Sequence, residues 1–120
     1  MSSYILVVED DVDLRDSLCD ALEMERYEAV GVEHGQAALR HLRSGATLPC
    51  LILLDLMMPV MDGWTFRDAL LADPSLASIP VVVMTAVGRQ GLPSPPAEQV
   101  LHKPLRMERL FQAVQAHCTH

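Results

Sequence analysis

The 120-residue chain has few aromatic residues and no long uninterrupted hydrophobic segment. Only 4% of its residues are aromatic, so leucine, valine, alanine and methionine must supply the core of a sequence that is 50% hydrophobic. The longest apolar stretch, 48–61, is too short for a transmembrane helix and contains Asp55, so we expect no membrane partner. The start lacks the basic residues of a signal peptide. We therefore expect one folded domain, residues 1–120, located in the cytoplasm.

Basic residues are also scarce, with 9 against 16 acidic ones and a net charge of −7. Because such a field repels phosphate backbones, we expect no direct nucleic-acid partner. Lys103 is the only lysine, and the other basic residues are arginines. Cysteine is rare as well. The odd number and the spacing of Cys19, Cys50 and Cys118 fit no metal site, and we expect free thiols in a reducing compartment.

Short apolar runs alternate along the chain with segments of helical spacing. Runs without polar alternation are typical of strands that are buried on both faces of a parallel sheet. Segments around Leu18, Ala38, Phe66 and Leu110 instead repeat their apolar residues at helical spacing. This order predicts an α/β fold, a doubly wound parallel sheet with right-handed crossovers. The predicted strands are 4–8, 28–32, 51–54, 81–84 and 99–102.

Polar residues follow the predicted strands at their carboxyl ends, where open parallel sheets bind ligands. Carboxylates that converge repel one another unless a cation holds them, and Mg²⁺ prefers such oxygen ligands while keeping positions for water and phosphate. Asp55 is a candidate nucleophile toward a phosphoryl group, and Lys103 and Thr85 are candidates to bind its oxygens. The pattern therefore predicts phosphoryl transfer through an aspartyl intermediate. The converging residues are Glu9, Asp10, Asp11, Asp55, Thr85 and Lys103.

Five short motifs in this order make the sequence resemble the receiver domains of two-component response regulators. The resemblance implies a flavodoxin-like sheet of five strands in the order 2-1-3-4-5. It also implies a signalling domain that catalyses only its own phosphorylation and dephosphorylation, and so is not an enzyme in the usual sense. The motifs are ILVVEDD at 5–11, LDLMMP at 54–59, DG at 62–63, MTA at 84–86 and KPL at 103–105.

The resemblance assigns a metal-binding role to four positions. Glu9 and Asp10 resemble the acidic pair that binds Mg²⁺, with Asp10 the more direct ligand. Asp55 resembles the phospho-acceptor, which also contacts the metal, and the backbone carbonyl of Met57 resembles a further ligand. Asp11 stays open between metal binding and a cap on the following helix.

The resemblance also implies the remaining parts of the site and its partners. Thr85 is similar to the switch hydroxyl, and Lys103 to the phosphate-binding lysine, which is commonly followed by a cis peptide bond, here to Pro104. The phosphoryl donor would be a phosphohistidine on a histidine kinase or a histidine phosphotransfer protein, and the output an unknown downstream protein. We expect no output domain, and both a stand-alone regulator and the receiver of a hybrid histidine kinase fit the sequence.

Two features depart from the usual receiver pattern. Val100 occupies the position, three residues before the lysine, where receivers usually carry a Tyr or Phe that moves with the switch hydroxyl. The interval from Thr85 to Lys103 is also shorter than usual by about one helical turn. Glycines and prolines in segment 88–96 disfavour a helix there. We therefore predict that the fourth helix of the fold is absent or reduced.

Two other functions remain as alternatives. A receiver-like interaction module that no longer uses phosphate predicts that an acid or the lysine is missing, whereas this sequence retains them all. A Mg²⁺-dependent phosphatase or hydrolase with an aspartyl intermediate typically needs a second acid two residues after the nucleophile. That position is Met57 here.

Overall fold

A computed structural model of the chain describes residues 3–44, 47–56, 61–86 and 99–118, which form five strands and four helices. Every predicted strand is confirmed, and the last three extend one or two residues further at their carboxyl ends. The strands are β1 (Tyr4–Val8), β2 (Glu28–Val32), β3 (Leu51–Asp55), β4 (Val81–Ala86) and β5 (Gln99–Lys103). The helices are α1 (Val12–Met24), α2 (Gly35–Leu42), α3 (Gly63–Ala72) and α4 (Met107–His117).

The five strands form one parallel sheet in the order β2-β1-β3-β4-β5, which confirms the predicted flavodoxin-like topology. The chain runs from β1 to β2 on one side and then returns to β3 on the other side of β1, so the strand order reverses there. The register pairs Val8 with Leu54 and Asp55 with Met84. The ends of β1 and β3 therefore lie side by side where an open α/β sheet binds ligands.

Helices cover both faces of the sheet, as the continuous apolar strands predict. Along β1, Leu6 and Val8 belong to the core under α2 and α3, whereas Ile5 and Val7 belong to the core under α1 and α4. This alternation is the ordinary consequence of successive side chains pointing to opposite faces of a strand. Both faces of the sheet are covered by apolar side chains, and the buried acids Glu9 and Asp55 lie at its carboxyl edge.

A disulfide joins Cys50 to Cys118, which corrects the prediction of three free thiols. Cys50 precedes β3 and Cys118 is the C-cap of α4, and their Cα atoms are 5.6 Å apart. They are 68 residues apart in sequence, and they meet because α4 packs on the sheet face to which β3 contributes. Cys19 is free. The predicted reducing, cytoplasmic location loses the support of the free thiols and stays a prediction.

Two further predictions concern the second half of the chain. The peptide bond between Lys103 and Pro104 is cis, as predicted. Segment 87–98, where the prediction of a missing or reduced fourth helix falls, lies outside the described residues. Within the described ranges, no helix is long and apolar enough to cross a membrane.

Candidate functional site

Three carboxylates meet at the carboxyl edge of the sheet. Glu9 and Asp10 directly follow β1, and Asp55 is the last residue of β3. Each offers an oxygen that lies within 4.8 Å of those of the other two. Glu9 and Asp55 are only 1% and 3% exposed, whereas Asp10 is open to solvent. Two buried carboxylates this close are costly unless positive charge or hydrogen-bond donors compensate them.

Lys103, at the end of β5, supplies positive charge to this group. Its Nζ donates a hydrogen bond to Glu9 Oε1 at 2.9 Å and lies 3.5 Å from Asp55 Oδ1. Burial lowers the pKa of the ammonium, but the hydrogen bond to Glu9 and the charges of Asp55 and Glu9 outweigh it, so that the pKa of Lys103 is raised. The lysine therefore remains charged at neutral pH beside the buried acids.

The chemistry of the acidic group fits a hard divalent cation. All three donors are carboxylate oxygens, the ligands that Mg²⁺ prefers, and the exposed side of Asp10 leaves room for water or phosphate oxygens. Lys103 compensates only part of the negative charge of the three acids. Glu9, Asp10 and Asp55 could together hold such an ion. Met57, whose carbonyl is predicted as a further ligand, lies outside the described residues.

Asp11 lies next to the acidic group but caps α1. Its Oδ1 accepts hydrogen bonds from the backbone N–H groups of Asp13 at 3.0 Å and Leu14 at 3.2 Å. Its own backbone N–H donates to Glu9 Oε2 at 3.2 Å. A carboxylate at this position satisfies the free N–H groups at the start of the helix. Of the two alternatives left open for Asp11, the structure favours the cap.

Thr85 reaches the same edge of the sheet through the register of β4. Asp55 pairs with Met84, so Thr85 stands one residue beyond Asp55 on the adjacent strand and is 9% exposed. On the outer strand, Val100 pairs with Val83 and packs, partly buried, against the core under α2 and α3. The fold thus brings Thr85 to the acids and the lysine, and its role as a switch stays a prediction.

Comparison with known proteins identifies the family. Residues 5–115 match the model of the response regulator receiver domain. The chain belongs to this family. It is 43% identical over 122 residues to the response regulator PleD of Caulobacter vibrioides, in an alignment that covers 97% of this chain and 26% of PleD. It is 38% identical over 120 residues to the DNA-binding dual master transcriptional regulator RpaA of Synechocystis, in an alignment that covers 93% of this chain and 47% of RpaA.

This receiver domain therefore spans less than half the length of both relatives. The predicted family is confirmed, and it is a family of two-component signalling domains and not of classical enzymes. Because RpaA is itself described as DNA-binding, the prediction that there is no direct nucleic-acid partner is not supported.

A solved structure shows the same fold. The receiver domain of a sensor histidine kinase from Pseudomonas aeruginosa superposes with a TM-score of 0.86 at 24% identity, over 98% of each chain. That crystal structure has a magnesium ion coordinated in its active site cleft. At this identity the likeness supports the fold of the present receiver.

Sequence reasoning did not identify the role of Gly63 in building the receiver site. Its N–H donates to the carbonyl oxygen of Leu56 at 2.9 Å, at the start of α3. A Cβ at Gly63 would lie 2.7 Å from Leu56 Cα and 3.1 Å from the carbonyl oxygen of Asp55. Only a glycine lets α3 begin this close to the backbone of Asp55 and Leu56. The Asp-Gly motif contained this residue, but the motif alone does not reveal the contact.

Arg15 is a second residue of the site that sequence reasoning missed. It lies on α1, and its Nη1 donates a hydrogen bond to the backbone carbonyl oxygen of Glu9 at 2.9 Å. Nothing in the sequence distinguishes it from the other seven arginines, because a contact from a helix back to the preceding strand end has no local motif. The structure thus adds a cationic side chain that contacts the backbone of the acidic group.

Proposed function

We propose that this receiver domain accepts a phosphoryl group on Asp55 from a phosphohistidine, carried by a histidine kinase or a histidine phosphotransfer protein, in a Mg²⁺-dependent reaction. The observation that carries the proposal is the meeting of three carboxylates with the only lysine of the chain. Their oxygens lie within 4.8 Å of one another, and the Lys103 ammonium is 3.5 Å from the carboxylate of Asp55. An ordinary surface acid lies close neither to two other carboxylates nor to a lysine ammonium.

The transfer exchanges one bond to phosphorus for another. A carboxylate oxygen of Asp55 bonds to phosphorus while the bond from phosphorus to the donor imidazole nitrogen breaks. The imidazole leaves with the electron pair and takes up a proton, and Asp55 becomes an aspartyl phosphate. Lys103 contributes a fixed positive charge, because Glu9 holds its ammonium at 2.9 Å within reach of Asp55. That charge offsets the negative charge on the oxygens of the transferred group.

The three acids would hold the metal, and we propose the backbone carbonyl of Met57 as an additional ligand. When it is bound, Mg²⁺ supplies positive charge that reduces the repulsion between the carboxylates and the phosphoryl oxygens. The magnesium ion in the related sensor-kinase receiver supports this assignment. Thr85 is proposed as the hydroxyl that hydrogen-bonds to the transferred group and signals its presence.

The proposed biological role is that of a self-modifying signalling domain. Residues 1–120 would act as one unit that catalyses only its own phosphorylation and dephosphorylation, in the cytoplasm. The phosphorylated form would signal to a downstream protein. The curated relatives do not identify this output, because this chain matches less than half of their length.

Incubation with acetyl phosphate and Mg²⁺, followed by intact-mass measurement, tests the proposal. We expect one added phosphoryl group in the wild type and none in Asp55→Asn or in the presence of EDTA. Asp16→Asn is the matched control, because it removes the same charge from an exposed position on α1 and should leave the adduct intact. No adduct would favour an interaction module, and steady phosphate release without an adduct would favour a hydrolase. Either result would overturn the proposal.

A further inference from the structure

We propose that Arg15 is a positioning residue that orients the peptide between Glu9 and Asp10 for metal binding. This inference rests on the proposed function for the metal, although the orientation itself can be tested without it. The Arg15 guanidinium donates to the carbonyl oxygen of Glu9 at 2.9 Å. That oxygen belongs to the planar peptide that joins Glu9 to Asp10, so the hydrogen bond fixes the plane from which Asp10 departs.

Asp10 depends on this peptide more than Glu9 does. The N–H of Glu9 donates to the carbonyl oxygen of Val32 at 3.1 Å, and its buried carboxylate accepts a hydrogen bond from Lys103. Asp10, in contrast, is exposed, and its side chain forms no hydrogen bond or ion pair within the described ranges. The backbone that Arg15 holds therefore sets the position and the direction from which the Asp10 side chain leaves the main chain.

Gly31 provides a second, independent observation. It lies on β2, paired with Val7, and has no side chain where the stem of Arg15 lies. A Cβ at Gly31 would be 2.9 Å from Arg15 Cγ and 3.1 Å from Cδ, so a methyl group there would displace the arginine. A substitution on β2 can thus disturb the same hydrogen bond while the arginine itself is retained.

The sign of the effect on Mg²⁺ affinity separates positioning from simple electrostatics. Removal of a positive charge near a cation site should, by Coulomb's law alone, tighten Mg²⁺ binding. Loss of an orienting hydrogen bond should instead weaken it, by about tenfold for outer contacts that hold a metal ligand. We therefore expect Arg15→Ala to bind Mg²⁺ about tenfold more weakly and Gly31→Ala to change in the same direction.

Isothermal titration with Mg²⁺ measures these affinities in the full chain. Arg40→Ala is the matched control, because it removes the same charge from an exposed position on α2 and should leave the affinity unchanged. In an Asp10→Asn background, Arg15→Ala should cause no further loss, since the contact acts through Asp10. Arg15→Lys, which keeps the charge and a donor, should recover part of the affinity. A folded Arg15→Ala variant with wild-type affinity would overturn the inference.

A measurement in EDTA distinguishes failure of this inference from failure of the proposed function. The carbonyl carbon resonance of Glu9 and the amide nitrogen resonance of Asp10 report directly on the hydrogen-bonded peptide. We expect both to shift in Arg15→Ala and Gly31→Ala and to stay unchanged in Arg40→Ala. If the wild type did not bind Mg²⁺ while these resonances shifted, the metal assignment would fail and the orienting contact would stand. Unchanged resonances would refute the contact itself.

Discussion

Loss of the disulfide between Cys50 and Cys118 is expected to lower the free energy of unfolding by about 4 kcal/mol at 25 °C. The bond closes a loop between residues that are 68 positions apart, and a cross-link of that length removes about this much conformational entropy from the unfolded chain. Cys118 is only 4% exposed, and Cys50 packs against the same core. Since domains of this size are typically stable by about 5–15 kcal/mol, the bond contributes a large share.

Urea unfolding of oxidised and reduced protein measures this contribution. The Cys50→Ala/Cys118→Ala double variant should match the reduced wild type closely and should not respond to reductant. Alanine is preferable to serine at these positions, because a buried hydroxyl without a partner costs about 1–3 kcal/mol. Cys19→Ala is the control, since Cys19 is free and its loss should leave the response to reductant intact. The slope of unfolding against urea should rise on reduction, because the unlinked chain exposes more surface.

The expected entropic contribution of the disulfide would be refuted if reduction left the urea midpoint of unfolding of the wild type unchanged. It would also be refuted if titration of the unfolded, oxidised protein found three thiols where one is expected.

Phosphorylation of Asp55 should be insensitive to the disulfide between Cys50 and Cys118. Cys50 precedes β3 and Asp55 ends it, and a five-residue strand separates the two by about 16 Å. Equal labelling of oxidised and reduced protein by acetyl phosphate is therefore the expected result.

Two other perturbations test the packing and charge of the site. Because the pKa of Lys103 is raised in the folded state, its ion pairs stabilise the protein below the unfolded lysine pKa of about 10.4 and stop doing so as the pH rises through the folded value. Urea unfolding between about pH 9 and 12 should show that the wild type loses stability with rising pH and that Lys103→Met does not. Identical dependences of the free energy of unfolding on pH in the two proteins would contradict this. Gly63→Ala should lower the free energy of unfolding by about 1–3 kcal/mol, because its Cβ would meet Leu56 Cα at 2.7 Å. Thr65→Ala, at an exposed position in the same helical turn, should change it by less than about 0.5 kcal/mol, and equal effects would argue against the close contact.

The strands could be predicted because most of them are buried on both faces. Such strands are continuous apolar runs that stop abruptly at polar residues, and β3 is fully buried up to Asp55. The outer strand β2 has a weaker apolar pattern in the sequence, since its residues are exposed or only partly buried. The acidic site followed from the same pattern, because the carboxyl ends of parallel strands share one edge. Glu9 and Asp55 could thus be placed together without knowledge of any contact.

Other features had no local signal in the sequence. Cys50 and Cys118 are 68 residues apart in sequence, with β3, β4 and β5 between them. They can meet only after α4 has packed on the same face as β3. Arg15 contacts Glu9 only because α1 folds back along β1, and Gly31 makes room for it from another strand. Asp11 was ambiguous because a carboxylate after a strand suits both a metal and a helix cap. Its distances to two backbone N–H groups favour the cap.

By itself, the sequence determined the order of strands and helices, the edge at which the acids gather and the family to which the chain belongs. These features depend on hydrophobic periodicity and on motifs a few residues long, which the covalent chain carries directly. Only the tertiary structure decided which distant side chains touch: Lys103 with Glu9 across 94 residues, Cys50 with Cys118, and Arg15 with the backbone of the site. Such contacts depend on how helices pack on a completed sheet, and no short segment of the chain specifies that packing.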